Sequence, residues 1–188
     1  MRSETKKDKI ICIGNRLIPE DSLAMEVYDL LTGSEPYSPL SLSEQLHDNI
    51  EIIEGGIAGL NLLSHLENAG NIVFVDTVSG FLPPEKGCSC EISPSSASSA
   101  DIVVLTQQEI TSCLQTDDFH YGHHSGIAYL LSILPVVCEG SLPESVFLVG
   151  LEGRCGHEVI ERAACLTIQI AMTGNNYIAE SHLHASVS

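Results

Sequence analysis

The sequence predicts an α/β fold, with a mostly parallel sheet and helices on both of its faces. Two observations carry the prediction. Short apolar runs rich in β-branched residues recur along the chain without polar alternation, the pattern of strands covered on both sides. Segments with helical spacing separate them, and such alternation builds a parallel sheet through crossover connections. The chain has 188 residues and is 44% hydrophobic, enough to bury a real core in one domain and too apolar to stay disordered.

Met1 to Asp8 reads as a charged, frayed end. Lys9 to Gly14 is the first strand, its run Ile10-Ile11-Cys12-Ile13 stopped by Gly14-Asn15. After Pro19, the acids Glu20 and Asp21 open a helix that runs to Leu31 and closes near Gly33. Acids suit a first helical turn, where unpaired N–H groups and the helix dipole favour negative charge. Asn49 to Ile53 is the second strand and leads into the glycine-rich turn Glu54-Gly55-Gly56-Ile57-Ala58-Gly59. Leu60 to Asn68 has helical spacing, and Asn71 to Asp76 is a third buried strand ending in an acid. A long loop, Thr77 to Ala100, rich in Ser and Pro, precedes the fourth strand, Asp101 to Leu105. Gly126 to Leu134 is an apolar helix stopped by Pro135, Ser145 to Leu151 the fifth strand, and His157 to Met172 the last helix. Residues 1–188 are thus expected to form a single domain with frayed ends near 1–8 and 174–188. In sheets of this kind sites form beyond the carboxyl ends of the strands, so Asp21, Gly55-Gly56 and Asp76 are expected on one edge.

Net charge is -17, from 8 Lys and Arg against 25 Asp and Glu. The cations cluster at the N-terminus (Arg2, Lys6, Lys7, Lys9) and are then scattered. No basic stripe exists to neutralise phosphates, which argues against nucleic acid as a partner. No apolar segment reaches membrane-spanning length and no secretory signal is present, so the expected compartment is the cytoplasm, with its 7 Cys reduced. Cys88-Ser-Cys90 has close spacing but no second pair at zinc-site distance, and reads as two loop cysteines.

Three constellations could carry chemistry. A nucleotide site is disfavoured: Gly14-Asn15-Arg16 lacks a Gly-x-Gly-x-x-Gly run, no Gly-Lys-Ser/Thr loop appears, and Glu20 and Asp21 would repel phosphate. Nucleophilic catalysis is weak, since no Gly-x-Ser-x-Gly elbow or thiol-protease signature occurs. The third is a carboxylate–carboxylate–imidazole metal site made from Asp21, Asp76 and a histidine of the cluster His120, His123, His124. Oxygen and imidazole donors suit zinc, nickel or iron with positions left open for substrate.

These segments, taken in order, resemble the hydrogenase maturation proteases, endopeptidases that trim the C-terminal tail of the large subunit of nickel–iron hydrogenases. The family's Gly-Asn-x-Leu followed by an acid pair looks like Gly14-Asn15-Arg16-Leu17-Ile18-Pro19-Glu20-Asp21. Its Asp-Gly-Gly-Thr-Ala-Gly turn looks like Glu54 to Gly59, and its acid-ended strand looks like Ile72 to Thr77. Its His-x-x-Gly before an apolar helix looks like His123 to Gly126, and its Leu-Val-Gly strand is Leu148 to Gly150. Here Glu54 and Ile57 replace Asp and Thr in the glycine turn, and Ser22 and Ala24 replace two frequent glycines after the acid pair.

The resemblance implies a three-layer α/β/α fold with a twisted, mainly parallel sheet of about five strands. It implies an endopeptidase whose substrate is a hydrogenase large-subunit precursor, checked for nickel before it is cut. It carries a metal-docking trio onto Asp21, Asp76 and His123, the metal being nickel held by the substrate, with no organic cofactor. Asp21 and Asp76 are the expected catalytic carboxylates, Asp21 first as general base. Gly55 and Gly56 would let the substrate backbone come close, while Asn15 is expected to hold its loop by side-chain hydrogen bonds. His120 and His124 stand as alternatives for the histidine. A monomer is expected. The rival functions are a non-catalytic, metal-dependent chaperone for the large subunit and a small-molecule hydrolase on the same general fold.

Overall fold

The fold is seen in a computed structural model that describes residues 6–34, 49–57, 59–81, 102–112, 123–138 and 141–178, with only the backbone described for 123–125. Five strands form one sheet: β1 (Asp8–Ile13), β2 (Ile50–Gly56), β3 (Asn71–Val78), β4 (Ile102–Thr106) and β5 (Ser145–Glu152). Their spatial order is β2-β1-β3-β5-β4. All neighbouring pairs are parallel except β4 with β5. The expected mainly parallel sheet is therefore present, with one antiparallel edge strand.

Among the described residues five helices cover the sheet: α1 (Leu23–Thr32), α2 (Leu63–Leu66), α3 (Gln107–Ser112), α4 (His123–Val137) and α5 (His157–Thr173). The buried side chains divide into two clusters, one on each face. Ile10, Cys12, Val73, Val75 and Val149 pack against α1 and α5. Ile11, Ile13, Ile72, Phe74, Val146 and Leu148 pack against α2, α3 and α4. Successive strand residues point to opposite faces, so a strand with both faces covered is apolar at every position. That is why β1 and β3 carry no polar alternation.

Several boundaries differ from the expected ones for local reasons. Glu20 and Asp21 do not open α1; they lie with Pro19 in a separate 3-10 turn, and Ser22 divides it from the helix. The Ser22 hydroxyl donates to the Pro19 carbonyl at 3.1 Å, closing that turn upon itself. Residues Leu60 to Leu62 form a 3-10 turn, and only Leu63–Leu66 are α-helical. Pro135 does not stop α4, which continues to Val137. Pro135 gives up one N–H bond and crowds the carbonyl one turn back, but the ladder resumes with Cys138 N–H donating to Leu134 O at 2.9 Å. The chain beyond Gly174 is not wholly a tail, since Tyr177 and Ile178 pack on the α1–α5 cluster.

Phe74 is fully buried at the centre of the sheet. Phe74→Ala should lower unfolding stability by about 3–5 kcal/mol, read as a drop in the urea midpoint at unchanged slope.

Candidate functional site

The order β2-β1-β3 contains a reversal. From β1 the chain moves outward to β2, then returns past β1 to β3. Such a switch point opens a crevice between the carboxyl ends of the two strands on either side of it. Asp21 lies in the loop leaving β1, and Asp76 lies near the end of β3. The two carboxylates thus flank the switch point, and Gly55-Gly56 end the neighbouring β2 on the same edge.

The loop from Gly14 to Ser22 is shaped by hydrogen bonds. Gly14 N–H donates to Gly56 O at 2.8 Å, Asn15 N–H to Asp21 O at 3.1 Å, and Asp21 N–H to Ile18 O at 2.9 Å. The Asn15 side-chain oxygen accepts from Leu17 N–H at 3.0 Å, the expected loop-holding role. A Cβ at Gly14 would run into the Asp21 carbonyl. The glycine is therefore needed for the segment bearing Asp21 to fold back against the end of β1.

Asp76 is the only charged side chain among the described residues that is fully buried, at 0% exposure. Alternation along β3 puts it with Ile72, Phe74 and Val78 on the face covered by α4. Among the described residues neither of its carboxylate oxygens makes a hydrogen bond, and the buried Thr77 hydroxyl has no partner either. Burial pushes the Asp76 carboxyl well above the usual carboxylate range; the Thr77 backbone N–H, short of full hydrogen-bond geometry, opposes the shift, and the nearby negative charge of Asp21 adds to it. In parallel register Asp76 sits opposite Gly150. A Cβ there would come within 2.7 Å of a Val78 methyl, so Gly150 lets Val78 close the core beside the acid.

Beyond this edge lies a cleft of about 810 Å³, lined by Ile18, Glu20 and Asp21 from the loop after β1, Thr77 and Ser79 from the end of β3, and Arg154 and Cys155 after β5. Thr77 entered the sequence reading only as the residue that follows the acid of the third strand, and Ser79, Arg154 and Cys155 carried no motif. Their only signal was position, just past the carboxyl ends of β3 and β5. Gly55 and Gly56 have separate structural roles. A Cβ at Gly55 would press on Ile11 and Ile13 of β1, at 2.9 and 3.2 Å. Gly56 adopts a left-handed φ of 60° beside the register shift between Cys12 and Ile13, and open space faces it.

The third expected ligand, His123, begins α4, the helix that packs on the Asp76 face of β3. Its side chain lies outside the described residues, as do that of His124 and all of His120, Cys88 and Cys90. Among the described residues no three His, Cys, Asp or Glu side chains are grouped to hold a metal ion. Cys12 is no nucleophile: burial, then the charges of Glu54 and Asp29, push its thiol far above the ordinary range. No described helix is long and apolar enough to cross a membrane.

The fold has known counterparts. The chain is similar to the hydrogenase maturating endopeptidase HybD from E. coli, with a TM-score of 0.58 and 20% identity over 89% of this chain and 94% of that one. It is similar to an endopeptidase from Escherichia coli, with a TM-score of 0.58 and 22% identity over 88% of this chain and 94% of that one. A [NiFe] hydrogenase maturation protease, HycI, from Thermococcus kodakarensis KOD1 gives a TM-score of 0.55 and 17% identity over 90% and 93% of the two chains. The fold is that of the hydrogenase maturation endopeptidases. No protein-family profile matches the chain, and no curated protein matches it by sequence.

A carboxyl whose pKa is raised by folding keeps its proton at pH values where the unfolded chain has lost it. Stability therefore falls as pH climbs through that window. Asp76→Asn cannot ionise. Relative to wild type it should gain stability with rising pH, at about 1.4 kcal/mol per pH unit from roughly pH 4 up to the folded-state pKa of Asp76. Urea titrations of both proteins between pH 4 and 8 measure this difference.

Proposed function

We propose that the chain is an endopeptidase of hydrogenase maturation, which removes the C-terminal extension of a nickel–iron hydrogenase large-subunit precursor after nickel insertion. The observation that carries this reading is Asp76, a buried carboxylate without a hydrogen-bond partner among the described residues, set beside Asp21 at the switch point of the sheet. Leaving a buried acid unsatisfied costs stability. Such an acid belongs at a site completed by a group that arrives from outside. The shared fold and the motifs along Gly14 to Gly150 support the same assignment.

In this reading the precursor's C-terminal segment lies in the cleft past β1, β3 and β5, and its nickel meets Asp21, Asp76 and His123. The cation draws Asp76 into its ionised form, replacing the lost solvation with direct charge pairing. Docking fixes the scissile peptide beside the carboxylates, and positioning supplies much of the rate. Asp21, half-buried at the cleft edge, takes a proton from the attacking water as the water oxygen adds to the peptide carbonyl, whose π electrons move onto its oxygen; when that oxyanion collapses the C–N bond breaks, and the leaving nitrogen takes the proton from Asp21. Gly56, with open space where a side chain would stand, lets the substrate backbone approach. Gly55 is held to its packing role against β1.

The test is the mass of the precursor before and after incubation, with and without nickel. The nickel-loaded precursor should lose its tail, and the unloaded one should stay intact. Asp21→Ala, Asp76→Ala and His123→Ala should each slow cleavage by at least about a hundredfold while the proteins remain folded. A complex that forms without any loss of mass would make the chain a binding module rather than a protease. Full cleavage by all three variants would end the metal-docking account.

A further inference from the structure

The loop that carries Asp21 has an unusual attachment to the rest of the molecule. Its apolar residues do not anchor it: Leu17 is 89% and Ile18 45% exposed. Between Asn15 and Pro19, among the described residues, the only side-chain bonds to other elements come from Arg16. Each nitrogen of that guanidinium donates one hydrogen bond to a carboxylate. Its Nη1 and Nη2 donate to the two carboxylate oxygens of Asp29 on α1 at 2.7 and 2.9 Å. Its Nε donates to Glu54 on β2 at 2.9 Å. Its Cζ lies over the Tyr28 ring, 5.7 Å from the ring centre. One planar fork therefore joins the middle of the loop to a helix and to a strand.

We infer that Arg16 is a positioning residue, which fixes the Asn15–Asp21 loop against α1 and β2 and thereby sets where Asp21 stands over the end of β3. This rests on the proposed protease reading for its catalytic consequence, and on the geometry alone for its structural one. Lysine cannot reproduce the arrangement, because a point charge does not span Asp29 and Glu54 with matched hydrogen bonds. The side chain of Arg16 is 42% exposed, so its ion pairs add little to global stability. Their effect falls on the loop. Misplacement of a reacting group by about 1 Å lowers rates by about a hundredfold.

Two measurements on Arg16→Ala and Arg16→Lys test this. In amide hydrogen exchange, the N–H groups of Asn15 and Asp21 should exchange at least about tenfold faster in Arg16→Ala, while those of Ile11 and Phe74 keep their wild-type rates. In precursor processing, kcat should fall by about ten- to a hundredfold with KM within about threefold of wild type, and Arg16→Lys should recover only part of the loss. Unchanged loop exchange in Arg16→Ala overturns the inference. So does wild-type kcat in that variant. If wild-type protein leaves every nickel-loaded precursor intact, the protease reading fails, and the exchange measurement still decides the role of Arg16.

Discussion

A carboxylic acid sits at the end of the central strand with no exposure to water and no hydrogen bond among the described residues. Every other position of β3 that faces α4 is apolar: Ile72, Phe74 and Val78. Asp76 occupies a site that packing alone would give to a leucine or an isoleucine. Such a group lowers stability whether it stays protonated without a partner or ionises without one. The surrounding structure is built to hold it there. Gly150 lets Val78 close beside it, and the β3–β5 ladder runs in unbroken register past it. A rigid frame around a dissatisfied acid is the arrangement in which an incoming cation gains most.

The second carboxylate is held differently. Asp21 stands on a loop, not on a strand, and the loop is fixed by short-range bonds, by the missing Cβ of Gly14 and by the fork of Arg16. One acid is thus set by the sheet and the other by a turn clamped to the sheet. The switch point between β1 and β3 brings the two together. The division suits the roles proposed for them. The buried acid waits for charge to arrive, and the half-buried one works at the edge of the cleft.

Much of this was legible before the structure. The unbroken apolar runs of β1 and β3 marked strands covered on both faces, and the position of Asp21 and Asp76 after such runs put both on the carboxyl edge. The local turns were less legible. Pro19 and Ser22 separate the acid pair from α1 because the hydroxyl of Ser22 bonds back to Pro19, a choice that helical spacing does not encode. Pro135 was read as a stop and is tolerated, because so little of the helix follows it. The pairing of Arg16 with Glu54 and Asp29 joins residues from three elements, and sequence pattern carries no signal for it. The cleft residues Thr77, Arg154 and Cys155 come together only when the strand order is known.

The most direct measurement follows the Asp76 side-chain carboxyl carbon by NMR across pH, in the free protein and in complex with the nickel-loaded precursor. The account predicts a proton held well above the usual carboxylate range in the free protein and lost at neutral pH in the complex. An ordinary midpoint near pH 4 in the free protein, unchanged on binding, would contradict it.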